Sequence, residues 1–191
     1  MNHYRLNNGV EIPVLGFGTW KAANGEEAYQ AVLAALKAGY RHIDTAAIYQ
    51  NEESVGRAIK DSGLAREDLF ITTKLWNTHH TYEDAQAALE ESLEKLGLDY
   101  VDLYLIHWPN PKPLRENDAW KQRNAEVWRA MEDMLAAGKV RAIGISNFLP
   151  HHLEALLETA RVIPSVNQIR LAPGVLPKAK PLQRVVSMAF Y

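Results

Sequence analysis

Four residues in this chain have the types needed for proton chemistry at a carbonyl group: Asp44, Tyr49, Lys74 and His107. Each has an unremarkable reading when taken alone. Asp44 ends an apolar run and could be a capping or salt-bridging carboxylate. Lys74 follows Ile71-Thr72-Thr73, where a lysine ordinarily snorkels to the surface. Tyr49 could be an ordinary amphipathic tyrosine, and His107, after Leu105-Ile106, a satisfied core histidine. Together they make a stronger case. A cationic Lys74 held by Asp44 is expected to lower the pKa of a neighbouring Tyr49 hydroxyl by favouring its anion. A phenol so tuned serves as a general acid near neutral pH. A neutral His107 beside it would orient the carbonyl oxygen. The set suits protonation of an oxyanion formed at a carbonyl.

These residues must be brought together by elements far apart in the chain. Short β-branched runs occur at 14–18, 41–45, 69–74, 101–107, 140–146 and 165–169, and stretches of helical periodicity at 25–38, 52–62, 82–96, 119–137 and 150–160. Thr81 and the acidic residues after it open one helix. Gly39, Gly97 and Gly138 close three others, where a left-handed residue is needed. Asn8-Gly9 predicts a hairpin with a type I′ turn before the first run. Strands alternating with helices through short connections give a parallel α/β fold. Length alone slightly favours a doubly wound sheet, because 191 residues is short for a barrel of about 250.

Placement reverses that preference. The six runs end at Gly18-Thr19-Trp20, Asp44-Thr45, Lys74-Leu75-Trp76, His107-Trp108-Pro109, Ser146-Asn147 and Gln168. In a barrel of parallel strands all six sets converge on one rim, where such barrels place their chemistry. Trp20, Trp76 and Trp108, just past strand ends, would wall an apolar pocket there.

Composition removes other classes. Hydrophobic residues make up 47% and charged residues 23%, ordinary for a globular chain. A net charge of −2 argues against a basic nucleic-acid-binding surface. The absence of cysteine removes disulfides, thiolate zinc sites and a cysteine nucleophile. No apolar run of about 18 residues marks a membrane span, and no leader precedes the first strand, so a cytoplasmic protein is expected. Gly16-Phe17-Gly18 has Lys21 where a dinucleotide fingerprint needs a third glycine. His79-His80 and His151-His152 are adjacent pairs that share no helix face, so no metal site is expected. Ser146 lacks the context of a nucleophile elbow.

Longer motifs then carry a resemblance. Gly39-Tyr40-Arg41-His42-Ile43-Asp44-Thr45-Ala46, continuing through Tyr49 to Glu52 and Gly56, resembles the first signature of the aldo-keto reductases. Lys74-Leu75-Trp76, 105–109, 144–148 and 166–168 resemble later motifs of that family in the same order. The resemblance covers nearly all of residues 1–175, and the whole chain reads as a single domain. It implies an (β/α)8 TIM barrel with an N-terminal hairpin, reducing aldehydes or ketones with NADPH. The family's tetrad falls on Asp44, Tyr49, Lys74 and His107. Cofactor contacts are implied at Gly18, Thr19, Trp20, Asp44, Ser146, Asn147 and Gln168, and substrate contacts at Trp20, Tyr49, Trp76, His107 and Trp108. A small carbonyl substrate and a monomer acting without nucleic acid or membrane are the expected partners and state.

The chain departs from the family after Val175. Residues 176–191 resemble its late cofactor-phosphate motif, with Lys178 and Arg184 at the spacing that would hold a 2′-phosphate. Ala179 stands where a hydroxyl residue is usual and Met188 where an asparagine is usual. The barrel is therefore expected to be incomplete, with six strands and this segment. Either an internal deletion or a gap between two ordered pieces near Pro173–Lys178 explains the junction, and the gap is the expected one. The missing strands also leave open a second reading, a non-catalytic barrel of the same lineage that acts as a binding subunit.

Overall fold

A computed structural model describes residues 2–170 and, for backbone only, 186–190. The junction near Val175, Lys178, Ala179 and Arg184 lie outside the described residues, although the sequence runs continuously through them.

The chain opens with an antiparallel hairpin, β1 (His3–Arg5) and β2 (Glu11–Pro13). Its turn differs from the expected type I′, which needs a positive φ at both central residues. Here Gly9 alone is left-handed, at φ 87°, after a turn closed by Gly9 N–H to Leu6 C=O at 3.0 Å. This is the three-residue loop in which one glycine relieves the strand twist.

Seven strands then form one parallel sheet in chain order: β3 (Gly16–Gly18), β4 (His42–Asp44), β5 (Phe70–Leu75), β6 (Val101–Ile106), β7 (Val140–Ser146), β8 (Val166–Arg170) and β9 (Val186–Phe190). Five helices connect the first six of them: α1 (Glu26–Lys37), α2 (Glu52–Asp61), α3 (Tyr82–Leu96), α4 (Ala119–Ala136) and α5 (Pro150–Leu157). The expected strands and helices agree with these to within a few residues. The correction is β9. Residues 186–190 form a seventh strand paired parallel to β8, with Gln168 opposite Met188, where six strands were expected.

Helix boundaries follow local chemistry. The Thr81 hydroxyl accepts the Asp84 N–H at 3.1 Å and Asp84 reaches back to Thr81 N–H, a reciprocal cap for α3. Gly56 matters for packing: a Cβ there would lie 2.2 Å from the Leu96 carbonyl oxygen, so only glycine lets α2 approach α3 so closely.

Side-chain parity divides the sheet into two faces. Ile43, Ile71, Leu75, Tyr104, Ile106, Ile143 and Ile145 face the helices and form the larger apolar core. Phe70, Leu103, Leu105, Ala142 and Val166 face inward and pack with Leu6 and Ile12 of the hairpin. The same alternation puts Asp44, Lys74, His107, Ser146 and Gln168 on the inner face, at the carboxyl ends of β4 to β8.

The inner face is concave. Gln168 Nε2 donates to Asp44 Oδ2 at 2.8 Å. Their strands, β8 and β4, are four strand spacings apart in the sheet, about 19 Å if it were flat. Only a sheet curled on itself brings them into contact, which excludes the open doubly wound alternative. No pairing between β3 and β9 closes the curl among the described residues. At the opposite end the hairpin covers the interior. Asn7 donates to the carbonyls of Ile163 and Pro164 and accepts from Ser165 Oγ at 2.7 Å, while Asn8 donates to Arg141 C=O at 2.9 Å.

Candidate active site

The carboxyl-terminal rim of the curled sheet gathers the four residues singled out by type. Lys74 Nζ donates to Asp44 Oδ1 at 2.6 Å and to the Thr45 carbonyl at 2.8 Å. Lys74 is completely buried, and the Asp44 side chain is 6% exposed. Both Asp44 oxygens are therefore engaged, one by an ammonium and one by the Gln168 amide.

Tyr49 comes from the one-turn 3₁₀ segment Ala47–Tyr49 that follows β4. Its ring lies edge-on to His107, centroids 5.9 Å apart, and Lys74 Nζ is 5.2 Å from its centre. Burial, with Asp44 second, pushes the Tyr49 hydroxyl above the ordinary phenol value. This reverses the direction expected from Lys74. The ammonium is committed to Asp44 and Thr45, so burial and the carboxylate prevail at the phenol.

His107 is held neutral. Burial, reinforced by Lys74 and opposed by Asp44, lowers it to about 3. Its Nδ1 is buried without a hydrogen-bond partner among the described residues, so no protein group fixes the tautomer. Trp76 packs edge-on against the imidazole at 5.2 Å.

The next arc of the rim is polar. Ser146 Oγ donates to the Gln168 carbonyl at 2.9 Å. Asn147, left-handed at φ 62°, donates through Nδ2 to the His107 carbonyl at 3.0 Å and to Ser146 Oγ at 3.1 Å. Neither Asn147 Oδ1 nor Gln168 Oε1 receives a hydrogen bond among the described residues. Two acceptors are thus left for an amide N–H₂, which suits a carboxamide ligand.

Thr19 and Gly18 lie on the same rim at the end of β3, with Thr19 N–H donating to the Asp44 carbonyl at 2.9 Å. Trp20 and Trp108 are 61% and 47% exposed, and Lys21 Nζ lies 4.7 Å from the Trp20 ring. Rather than being packed in the core, both tryptophans are available at the rim. The rings of His151 and His152 lie tilted against each other, centroids 3.9 Å apart, beside Trp120, and no cluster of potential metal ligands occurs among the described residues.

Sequence reasoning passed over Asn51 and the partners of Glu52. Glu52 is buried, accepts hydroxyls from Thr73 at 2.6 Å and Ser92 at 3.2 Å, and its carboxyl is raised by burial. Thr73 precedes Lys74, so Glu52 fixes the outer side of the strand whose inner side carries the ammonium. An asparagine and glutamate opening a helix look like ordinary capping residues in sequence, which hid both.

A curled parallel sheet with a buried lysine–carboxylate pair, a tyrosine and a neutral histidine at its carboxyl rim defines an α/β, barrel-like protein with its ionisable groups gathered at one end. Residues 14–183 match the aldo/keto reductase family, and the chain belongs to that family. It is 53% identical to a glyoxal reductase of Bacillus subtilis over 91% of this chain and 59% of the relative. It is 48% identical to an aldehyde reductase of Saccharomyces cerevisiae, over 91% of the chain and 61% of that relative. Among solved structures, an aldo/keto reductase of Brucella melitensis is 52% identical with a TM-score of 0.82, over 89% of this chain and 63% of that one. A Bombyx mori aldo-keto reductase solved with NADP gives 0.84 at 38% identity, over 99% and 66%. The chain spans about three fifths of the length of the curated relatives it matches.

Proposed function

We propose that this chain carries the catalytic rim of an NADPH-dependent carbonyl reductase acting on small aldehydes or ketones. The observation that carries it is the buried Lys74–Asp44 pair beside Tyr49 and a neutral His107, all on the inner face of one rim. When bound, the nicotinamide cofactor supplies a hydride. The carbonyl oxygen would then gain negative charge, and Tyr49 Oη would give it a proton. A phenol with a raised pKa stays protonated throughout the neutral range, so the donor is always loaded. Lys74 and Asp44 fix the charge beside it, and neutral His107 donates to or accepts from the substrate without adding a second cation.

Asn147, Gln168 and Ser146 would hold the carboxamide of the cofactor, with Gly18, Thr19 and Trp20 along its other side. Trp20, Trp76 and Trp108 would wall the substrate. Lys178 and Arg184 would meet a 2′-phosphate through charge-assisted contacts; this rests on the sequence motif alone, and Ala179 predicts a narrowed preference for NADPH over NADH. The curled seven-stranded sheet supports a (β/α)8 plan, and the near-neutral net charge supports a small-molecule partner. Among the described residues no helix is long and apolar enough to cross a membrane.

The test is Tyr49→Phe, with NADPH oxidation followed on an aldehyde panel and NADPH affinity by fluorescence quenching. Loss of a general acid lowers turnover about 10²–10⁴-fold, with cofactor affinity nearly unchanged. Wild-type turnover in the variant would remove Tyr49 from the reaction.

A further inference from the structure

We propose that Asn51 is a positioning residue: it locks the turn carrying Tyr49 to the Thr19–Ala22 loop and to the residue that seats Lys74. The inference builds on the reading of Tyr49 as proton donor.

Asn51 occupies the residue before α2, where an asparagine ordinarily turns its side chain back to accept an N–H of the first turn. It makes no such bond. It is completely buried, and its amide is spent elsewhere. Oδ1 accepts from Thr45 Oγ1 at 3.0 Å and from Thr19 Oγ1 at 3.4 Å. Nδ2 donates to the carbonyls of Thr19 and Ala22, both at 3.0 Å. Two donors and two acceptor positions are the full capacity of the group. A general-purpose cap has become a four-way connector.

What it connects is the rim. Thr45 gives its carbonyl to Lys74 Nζ and its hydroxyl to Asn51, so one residue touches both ammonium and amide. Thr19 begins the loop that includes Trp20. Tyr49 stands two residues before Asn51 and has no side-chain hydrogen bond among the described residues; its ring contacts are His107 and Lys74. The hydroxyl is therefore aimed by its backbone. That backbone includes Gln50, left-handed at φ 56° without being glycine. Such a conformation persists only where the surroundings over-determine it, and the next residue, Asn51, supplies four hydrogen bonds.

The experiment compares Asn51→Ala, Thr45→Val and the double variant with the wild type, all as the full chain. NADPH and 4-nitrobenzaldehyde serve as probes, with melting curves and amide hydrogen exchange alongside. Misplacing a catalytic group by about 1 Å costs on the order of 10²-fold. Asn51→Ala should therefore lose about 10–100-fold in kcat, by the same reasoning, with aldehyde KM within about twofold. Thr45→Val should lose less, and the double variant should be no worse than Asn51→Ala, because the bond that Thr45→Val removes is one of the four that Asn51→Ala already removes. Exchange should quicken at residues 19–22 and 46–50 while core strands stay protected. A folded Asn51→Ala with wild-type kcat, a rise confined to KM, or additive losses would overturn the proposal. If Asn51→Ala fails to fold, Thr45→Val decides: an unchanged kcat in it overturns the proposal, and a lowered kcat at unchanged KM supports it. A wild type without turnover would strike the function proposed above instead, and hydrogen exchange would then decide Asn51 alone: unchanged protection at 46–50 overturns its role.

Discussion

Lys74 Nζ and Asp44 Oδ1 are 2.6 Å apart with almost no water access, one from β5 and the other from the neighbouring β4. Such a pair contributes little net stability when whole, because desolvation offsets attraction, yet losing one partner leaves the other charge buried alone. Lys74→Met should therefore destabilise the fold by about 3–5 kcal/mol. Adding Asp44→Asn should recover part of that loss. Urea midpoints of the two variants check it; a double variant no more stable than Lys74→Met would mean the buried carboxylate is not the cause.

Three histidines predict acid sensitivity. Burial lowers His42 and His152 to about 4 and His107 to about 3. Below the unfolded value near 6.5 the unfolded chain binds protons that the folded chain refuses, so stability falls as pH falls. The window runs from about 6.5 down to about 3–4, the range between the unfolded value and the lowered folded ones. Chemical denaturation between pH 7 and 4 should show a steady decline, less steep in His152→Gln. A flat profile would count against buried neutral imidazoles.

For turnover the same lowering of His107 predicts no activity change assignable to it near pH 6.5. A pH profile of kcat for wild type and His107→Gln checks this: an acidic limb near 6.5 present only in the wild type would show that His107 titrates there.

Gly56→Ala should be disruptive despite alanine's higher helix propensity, because the new Cβ meets the Leu96 carbonyl across the α2–α3 contact. Overpacking of this kind costs about 1–3 kcal/mol. Thermal melts decide it, and a stabilised variant would show that α2 can shift without penalty.

Much of the fold was readable because parallel strands and helices carry different periods, and Asp44, Lys74 and His107 fell at strand ends where no packing account required them. Which face they share came only from register and curl, as the Asp44–Gln168 contact shows. Asn51 escaped notice because residue type and position mimic a cap, and hydrogen bonds across 29 to 32 residues leave no local pattern. The direction at Tyr49 was misjudged because burial, the larger cause of its raised pKa, depends on how the rim packs and leaves no mark in the sequence around residue 49. Val186–Phe190 was read as part of a phosphate motif, and strand pairing to β8 is not visible in so short a run.

The hairpin that covers the interior sets an order of events during synthesis. Asn7 finds its partners Ile163, Pro164 and Ser165 only after 156 to 158 further residues exist. At about 5–20 residues per second, the hairpin waits on the order of 10–30 s for the residues it binds. Leu6 and Ile12, which end in the inner core, likewise lack Val166 for that interval. The bottom of the sheet is therefore sealed by a segment made long before the residues that hold it, and secured only once they exist.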